Sequence, residues 1–448
     1  MDGVPLETAE YLTGLVTRRL RQRCGVSVLT DSQAGFTLRF QLDAALGLEG
    51  FRISDGEADE CIIASGGARG LLYGLGKFLR TALYAPGEIQ AGSWRGESQP
   101  ARPIRGIYFA THFHNFYHAA PLEEVEHYVE EIGLWGTNAV TVWFDMHHYT
   151  SLQDPAAQAM VTRLHAILAA ARRAGLMTGL LVLGNEAYST SPEELRADWT
   201  AGHDGCFRQL AHYHVEVCPS KPAGYELILG WHREVFEAFA DIQLDYVWIW
   251  PHDQGGCSCA ECAPWGGNGF LKIAHPTAQI AREIFPQAQL ILSTWYFDTM
   301  IEGEWQAFSR EIQKDSSWID YLMAEFPGKF PDYILQNGVP AGLPLLGFPE
   351  ISMFQNSPWG GFGANPLPRY IEAMWKEAGE ILSGGFPYSE GIFEDINKAV
   401  VAWYYWTGGG DPIEAIREYC NLEFSSQSVE QITTAIFLLE TSNRRAIA

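Results

Sequence analysis

Tyr246-Val247-Trp248-Ile249-Trp250 runs directly into Pro251-His252-Asp253. The run is too short for a helix of its own and reads as a buried strand that stops at side chains able to titrate or hydrogen-bond. Working outward, the pattern recurs. Ile107-Tyr108-Phe109-Ala110 leads into Thr111-His112-Phe113-His114, and Ala139 to Phe144 ends at Asp145 with His147 and His148 behind it. Leu180 to Leu183 runs into Asn185-Glu186, and Leu290 to Trp295 into Tyr296 and Asp298. Tyr321 to Ala324 ends at Glu325, Leu345 to Pro349 at Glu350, and Gly385 to Ser389 at Glu390. Helical periodicity separates most of these runs, over 122–135, 155–174, 225–240, 277–285, 304–314 and 368–382. Eight strand–helix units with polar residues at the strands' C-terminal ends predict an α/β fold, a (β/α)8 TIM barrel with its site at one face.

The 448 residues exceed one barrel of about 250–300 residues. We expect a small α/β domain over 1–95, a barrel over 103–406 and a helical C-terminal region over 407–448, truncated inside a helix. Strands are predicted over 26–29, 36–42, 51–53 and 61–64, and the Gly-, Pro- and Ser-rich stretch 82–103 reads as a linker. The glycines of Gly66–Arg80 fit neither a phosphate-binding loop nor a dinucleotide fingerprint, and suit a helix packed closely on a sheet.

With 30 basic and 54 acidic residues the net charge is −24, which argues against nucleic acid or an anionic membrane as partner. No apolar stretch is long enough to span a membrane. The N-terminus lacks a basic and apolar leader, so a cytoplasmic protein is expected as the sequence stands, or a periplasmic or secreted one if a leader is missing. Fifteen Trp and 19 Tyr serve either core packing or stacking on sugar rings.

Gly67–Arg80 resembles the small domain that precedes the barrel in family 20 β-hexosaminidases and in α-glucuronidases. Pro103-Ile104-Arg105-Gly106-Ile107-Tyr108 resembles the first barrel strand of the same enzymes. The stretch from Trp250 to Cys262, with Cys257-x-Cys259-x-x-Cys262, is similar to a loop in barrel glycosidases related to both. Tyr388 to Lys398 is similar to a segment near the barrel's end in that group. The resemblance implies a glycosidase that acts on a glycan-terminal sugar, a hexosaminide or uronide, in an oligosaccharide or glycoconjugate. Family 20 enzymes carry an adjacent Asp–Glu pair after the fourth strand. This chain reads His252-Asp253-Gln254 there and departs from them. The α-glucuronidases instead place acids after strands four, six and seven, a layout that Asp253, Glu325 and Glu350 match by strand count.

Two carboxyl groups suffice to cleave a glycosidic bond, one as acid and the other as base or nucleophile, with no cofactor. Asp253, Glu325 and Glu350 are therefore the expected catalytic residues. His112, His114, Asp145, His148, Glu186, His252 and Glu390 are expected to contact substrate, as are Trp295 and Tyr296. So are the aromatics and amide of two Gly-rich loops, Trp265 and Asn268 in one and Trp359 in the other. Three thiolates at Cys257, Cys259 and Cys262, with Cys218 as fourth ligand and Cys206 as the alternative, have the spacing of a structural zinc site. Reduced or cross-linked cysteines are the plainer reading. A Schiff-base aldolase is disfavoured because no run ends in Lys. A metal-dependent hydrolase using His112 and His114, or a carbohydrate-binding barrel without catalysis, remains the alternative.

Overall fold

The computed structural model describes residues 3–29, 35–57, 59–111, 115–198, 215–252, 256–299, 302–326, 329–351 and 365–443. Near the N-terminus, β1 (Thr37–Leu42), β2 (Phe51–Asp55), β3 (Glu60–Ser65) and β6 (Gly96–Ser98) form one sheet in the order β1-β3-β2-β6. β1 and β3 are parallel and the other pairings antiparallel. Between them in sequence, β4 (Leu83–Ala85) and β5 (Glu88–Gln90) pair as a hairpin. The stretch read as a linker thus contributes a strand to the sheet. The strand expected over 26–29 does not form. Val26 and Val28 pack on the sheet's core without joining a ladder.

Helix Leu6–Cys24 buries Leu12, Leu15, Val16 and Leu20, the stripe that a 3.6-residue period lays on one face. Helix Ala68–Thr81 packs between the sheet and the barrel. A Cβ on Gly76 would stand 1.9 Å from the Leu134 carbonyl oxygen, so glycine there sets how closely the helix meets barrel helix Leu122–Leu134.

The barrel strands are β7 (Ile104–Phe109), β8 (Ala139–Trp143), β9 (Met177–Leu183), β10 (Tyr246–Trp250), β11 (Gln289–Ser293), β12 (Tyr321–Phe326) and β13 (Leu345–Pro349), with β14 (Leu382–Gly385) and β15 (Tyr388–Ser389) sharing the eighth position. Neighbouring strands pair in parallel, and β14 and β15 both return to β7, closing the ring. The eighth strand, expected as one run over 385–389, is broken because Phe386 turns into the barrel, against Trp248 at 4.6 Å between centroids. Gly106 makes room for it: a Cβ there would lie 2.0 Å from the Phe386 ring.

Ile104, Tyr108, Trp143, Leu181, Trp248, Trp250, Ile291, Met323, Leu346, Phe348 and Tyr388 fill the interior. The barrel is a packed core with no pore, as side-chain layering in this fold requires. Beyond β15, helices Asp395–Thr407, Ile413–Tyr419 and Val429–Asn443 form the C-terminal part. Glu418 there holds Lys77 and Arg80 of the N-terminal part. Arg105, its side chain wholly buried, reaches Glu49 at 2.9 Å. Among the described residues no helix is long and apolar enough to cross a membrane.

Candidate active site at the C-terminal mouth of the barrel

Side chains alternate along a strand, so a residue two positions beyond an inward-facing one keeps its direction. Trp143, Trp250, Met323, Phe348 and Tyr388 all lie in the barrel interior. Two positions on stand Asp145, His252, Glu325, Glu350 and Glu390. The alternation places Glu325 within β12, and Asp145, His252, Glu350 and Glu390 follow directly on the ends of their strands, so four carboxyl groups and an imidazole stand at the strands' C-terminal ends above an aromatic floor. The floor is continuous: Trp250 lies 5.3 Å from Trp295 and 4.8 Å from Phe348, and Phe348 lies 6.1 Å from Tyr388.

Glu325 is 7% exposed. Its Oε2 accepts the Tyr296 backbone N–H at 2.7 Å. Burial pushes its carboxyl up to about 8, with the Glu304 charge adding to the rise. Glu304, expected only as a helix start, is itself buried and pushed up to about 7, chiefly by desolvation. It accepts the N–H groups of Gly266 and Asp298, each at 3.1 Å, and so joins the loops after β10 and β11.

A second acidic group lies across the mouth. Asp145, 1% exposed, accepts from His148 Nδ1, and that bond raises the His148 imidazole above its ordinary 6.5. Glu186 accepts from Trp143 Nε1 at 3.1 Å and meets His147 Nδ1 at 3.0 Å. Burial, followed by the Asp145 charge, holds Glu186 well above the carboxylate range. Asp145, His147 and His148 are close enough to share an ion. Glu186, meeting His147 Nδ1, fixes the orientation of that ring, as a carboxylate behind an imidazole does in a metal site and in a proton relay alike.

On the third side Tyr388 donates to Glu390 Oε1 at 2.8 Å. Burial raises Glu390, against that hydrogen bond. Tyr388 is raised well above its usual value by burial and then by the charges of Glu390 and Glu350. Beneath them Glu394 accepts from Ser389 Oγ and from the N–H groups of Glu390 and Gly391, at 2.7, 2.7 and 3.1 Å.

Several buried polar atoms here have no hydrogen-bond partner among the described residues: Asp145 Oδ1, Thr141 Oγ1, and the indole nitrogens of Trp248 and Trp295. Such atoms are costly unless something polar meets them. Trp295 Nε1 and Asp145 Oδ1, at the mouth, are placed to meet a polar ligand.

His112, His114, Asp253 and Trp359 lie outside the described residues, as do Cys206 and the rest of 199–214. Trp265 does not line the site. It is fully buried beside Phe270, and its indole N–H donates to the Pro251 carbonyl at 2.9 Å, so it props the end of β10 from behind. Asn268 serves its own loop, donating to the Ala263 carbonyl at 2.6 Å. Trp143, Tyr388 and Glu304 are among the residues of the candidate site that the sequence reading missed. Trp143 was visible as the inward neighbour of Asp145. Glu304 carried only the signal of a helix N-terminus.

No protein-family model matches the chain, and no curated protein matches it. Solved structures do. The fold is similar to that of several glycoside hydrolases of known structure. A family 20 exo-β-N-acetylglucosaminidase from Vibrio harveyi, solved with N-acetylglucosamine, is similar over 98% of this chain and 74% of its own, at 11% identity and a TM-score of 0.62. The family 20 β-N-acetylhexosaminidase of Streptomyces coelicolor is similar over 97% and 91%, at 14% identity and 0.63. A family 89 enzyme from Clostridium perfringens, bound to GlcNAc-α-1,4-galactose, is similar over 97% of this chain and 52% of its own, at 11% identity and 0.63.

Proposed function

We propose that this protein is a glycoside hydrolase in which Glu325 is the general acid. The observation that carries this reading is a buried carboxyl group, held up to about 8, at the mouth of the barrel and beside an aromatic floor. Such a group is protonated at neutral pH and can give its proton to the oxygen of a leaving sugar. Trp295 offers an apolar face for the C–H side of a pyranose ring, with Trp250 packed behind it. A second carboxylate then attacks the anomeric carbon or activates water. Asp253 and Glu350 are our candidates for that role, with Asp145, His148, His252, Glu186 and Glu390 contacting hydroxyl groups. No cofactor takes part. The structural neighbours, several of them solved with or named for N-acetylhexosamine sugars, support an exo-acting enzyme on a terminal sugar of a glycan, a hexosaminide first and a uronide second.

The test is a panel of aryl glycosides and natural oligosaccharides, run with wild type and Glu325→Gln. Losing a general acid costs about 10²–10⁴ in rate on natural linkages. The loss should shrink for dinitrophenyl glycosides, whose leaving group needs no proton. A variant that keeps wild-type rates would refute the assignment of Glu325. Binding of glycans by the wild type without any turnover would favour a carbohydrate-binding barrel instead.

A further inference from the structure

Outside the mouth, four cysteines converge from two segments. Cys218 Sγ lies 3.5 Å from Cys257 Sγ, 3.8 Å from Cys259 Sγ and 3.9 Å from Cys262 Sγ. All four sulfurs lie within 4.8 Å of one another. A disulfide needs an S–S distance of about 2.05 Å, so none of these pairs is bonded, and all four are free thiols. Sulfurs bound to one tetrahedral zinc at about 2.3 Å stand about 3.8 Å apart along each edge. The measured separations match that edge. We propose that Cys218, Cys257, Cys259 and Cys262 form a four-thiolate site for one structural zinc ion.

The surroundings fit the proposal. Cys218, Cys257 and Cys262 are buried and Cys259 is partly so, leaving no open coordination position for chemistry. The Asp198 N–H points at Cys257 Sγ from 3.3 Å, and Ser220 Oγ lies 2.9 Å from Cys218 Sγ and 3.3 Å from Cys259 Sγ. Donors of this kind orient thiolate ligands from behind.

The site would also clamp two active-site loops together from outside. Next to Cys218, Val217 exchanges hydrogen bonds with Asn185, which follows β9 and precedes Glu186. Cys262 accepts from the Gly269 N–H at the start of helix Gly269–Ile284, close to Trp265, which supports Pro251. A metal here holds the ends of β9 and β10 in register without occupying the mouth.

Full-length protein purified under reducing conditions without added metal should carry about one equivalent of zinc. X-ray absorption should show four sulfurs at about 2.3 Å. Cys259→Ser and Cys262→Ser should lose that equivalent, whereas Cys420→Ser, far from the cluster, should keep it. Stepwise mercurial titration of the wild type, with a colorimetric zinc indicator, should release the ion as four thiols react, a readout that needs no variant to fold. Chelation should lower the Tm by about 5 °C or more. Protein without metal that takes up none from added zinc chloride would overturn the proposal. So would a full equivalent retained in Cys259→Ser, or an iron-loaded, coloured protein.

Discussion

Replacing Glu325 by Gln tests the desolvated carboxyl without any knowledge of the substrate. Folding raises this group from an ordinary 4.5 to about 8. Between those values the folded chain keeps a proton that the unfolded chain has released. The folded state then binds more protons, so stability falls as pH rises from about 4.5 to about 8 and levels off above it. The whole shift is worth at most about 5 kcal/mol. Gln cannot ionise, and its amide oxygen can still accept the Tyr296 N–H. Removing Glu325 also relieves its repulsion of Glu304, which acts in the same direction. Below pH 5 the variant and wild type should therefore unfold within about 1 kcal/mol of each other, and above pH 8 the variant should be the more stable. At about 2.1 cal/mol/K per residue, the unfolding entropy of 448 residues is about 0.9 kcal/mol/K, so the gap at pH 9 approaches 5 °C in Tm. Scanning calorimetry of both proteins at pH 5, 7 and 9 reads it directly. Parallel pH profiles, with no gap opening towards pH 9, would refute the burial argument and with it the general acid.

Asp145→Asn should bring the His148 imidazole back down towards 6.5, since the Asp145 hydrogen bond is the main cause of its rise; an unchanged titration by ¹³C NMR would contradict that cause. Trp248→Ala empties the centre of the barrel and should cost about 3–5 kcal/mol, visible as a lower Tm at every pH. Glu49→Gln leaves the wholly buried Arg105 facing a neutral amide and should cost about 1–3 kcal/mol. Glu97→Gln, at a pair whose acid is 62% exposed, should change stability by no more than about 0.5 kcal/mol. Equal effects at the two positions would show that the Arg105 contact does not join the N-terminal part to the barrel.

The barrel was legible because its strands advertise themselves twice, by apolar runs and by the polar residue that ends each run. Tyr246–Trp250 and Leu345–Pro349 have in the structure the bounds read from the sequence. The polar residue that ends each run marks Asp145, Glu325, Glu350 and Glu390, and in the structure each stands at or just past the C-terminal end of its strand. The reading failed where the chain leaves the strand ladder. Phe386 breaks the eighth strand for a reason written on other strands, the space that Gly106 leaves on neighbouring β7 and the Trp248 ring on β10. Trp265 stands in a Gly-rich loop at the active face, and local sequence cannot say that it turns inward to Pro251. Glu304 looks like an ordinary first-turn acid. Only the meeting of two loops shows that it is buried between Gly266 and Asp298.

Burial alone does not single out Glu325, because Glu394 is at 2% still less exposed. The difference lies in what each carboxyl group accepts. Glu394 takes three hydrogen bonds and has Lys398 Nζ at 3.6 Å, an arrangement that anchors the turn after β15. For Glu325 one backbone N–H, that of Tyr296, opposes the effect of desolvation, and the nearby charge is another carboxyl, Glu304. That donor is held at a cost. Tyr296 and Asp298 have φ of 58° and 61°, in the left-handed region that side chains bearing a Cβ avoid by about 1–3 kcal/mol each. Asp298 offsets the strain by accepting the N–H groups of Glu304 and Trp305, at 2.6 and 3.2 Å, at the start of helix Glu304–Ile312. Among the described residues, the turn after β11 aims a single N–H at Glu325 and sets no cation beside it. One donor orients the carboxyl group while desolvation still dominates, an arrangement unlike the three donors and the ammonium around Glu394. A proton donor that must stay charged with its proton at neutral pH needs the first arrangement, and at this mouth Glu325 has it.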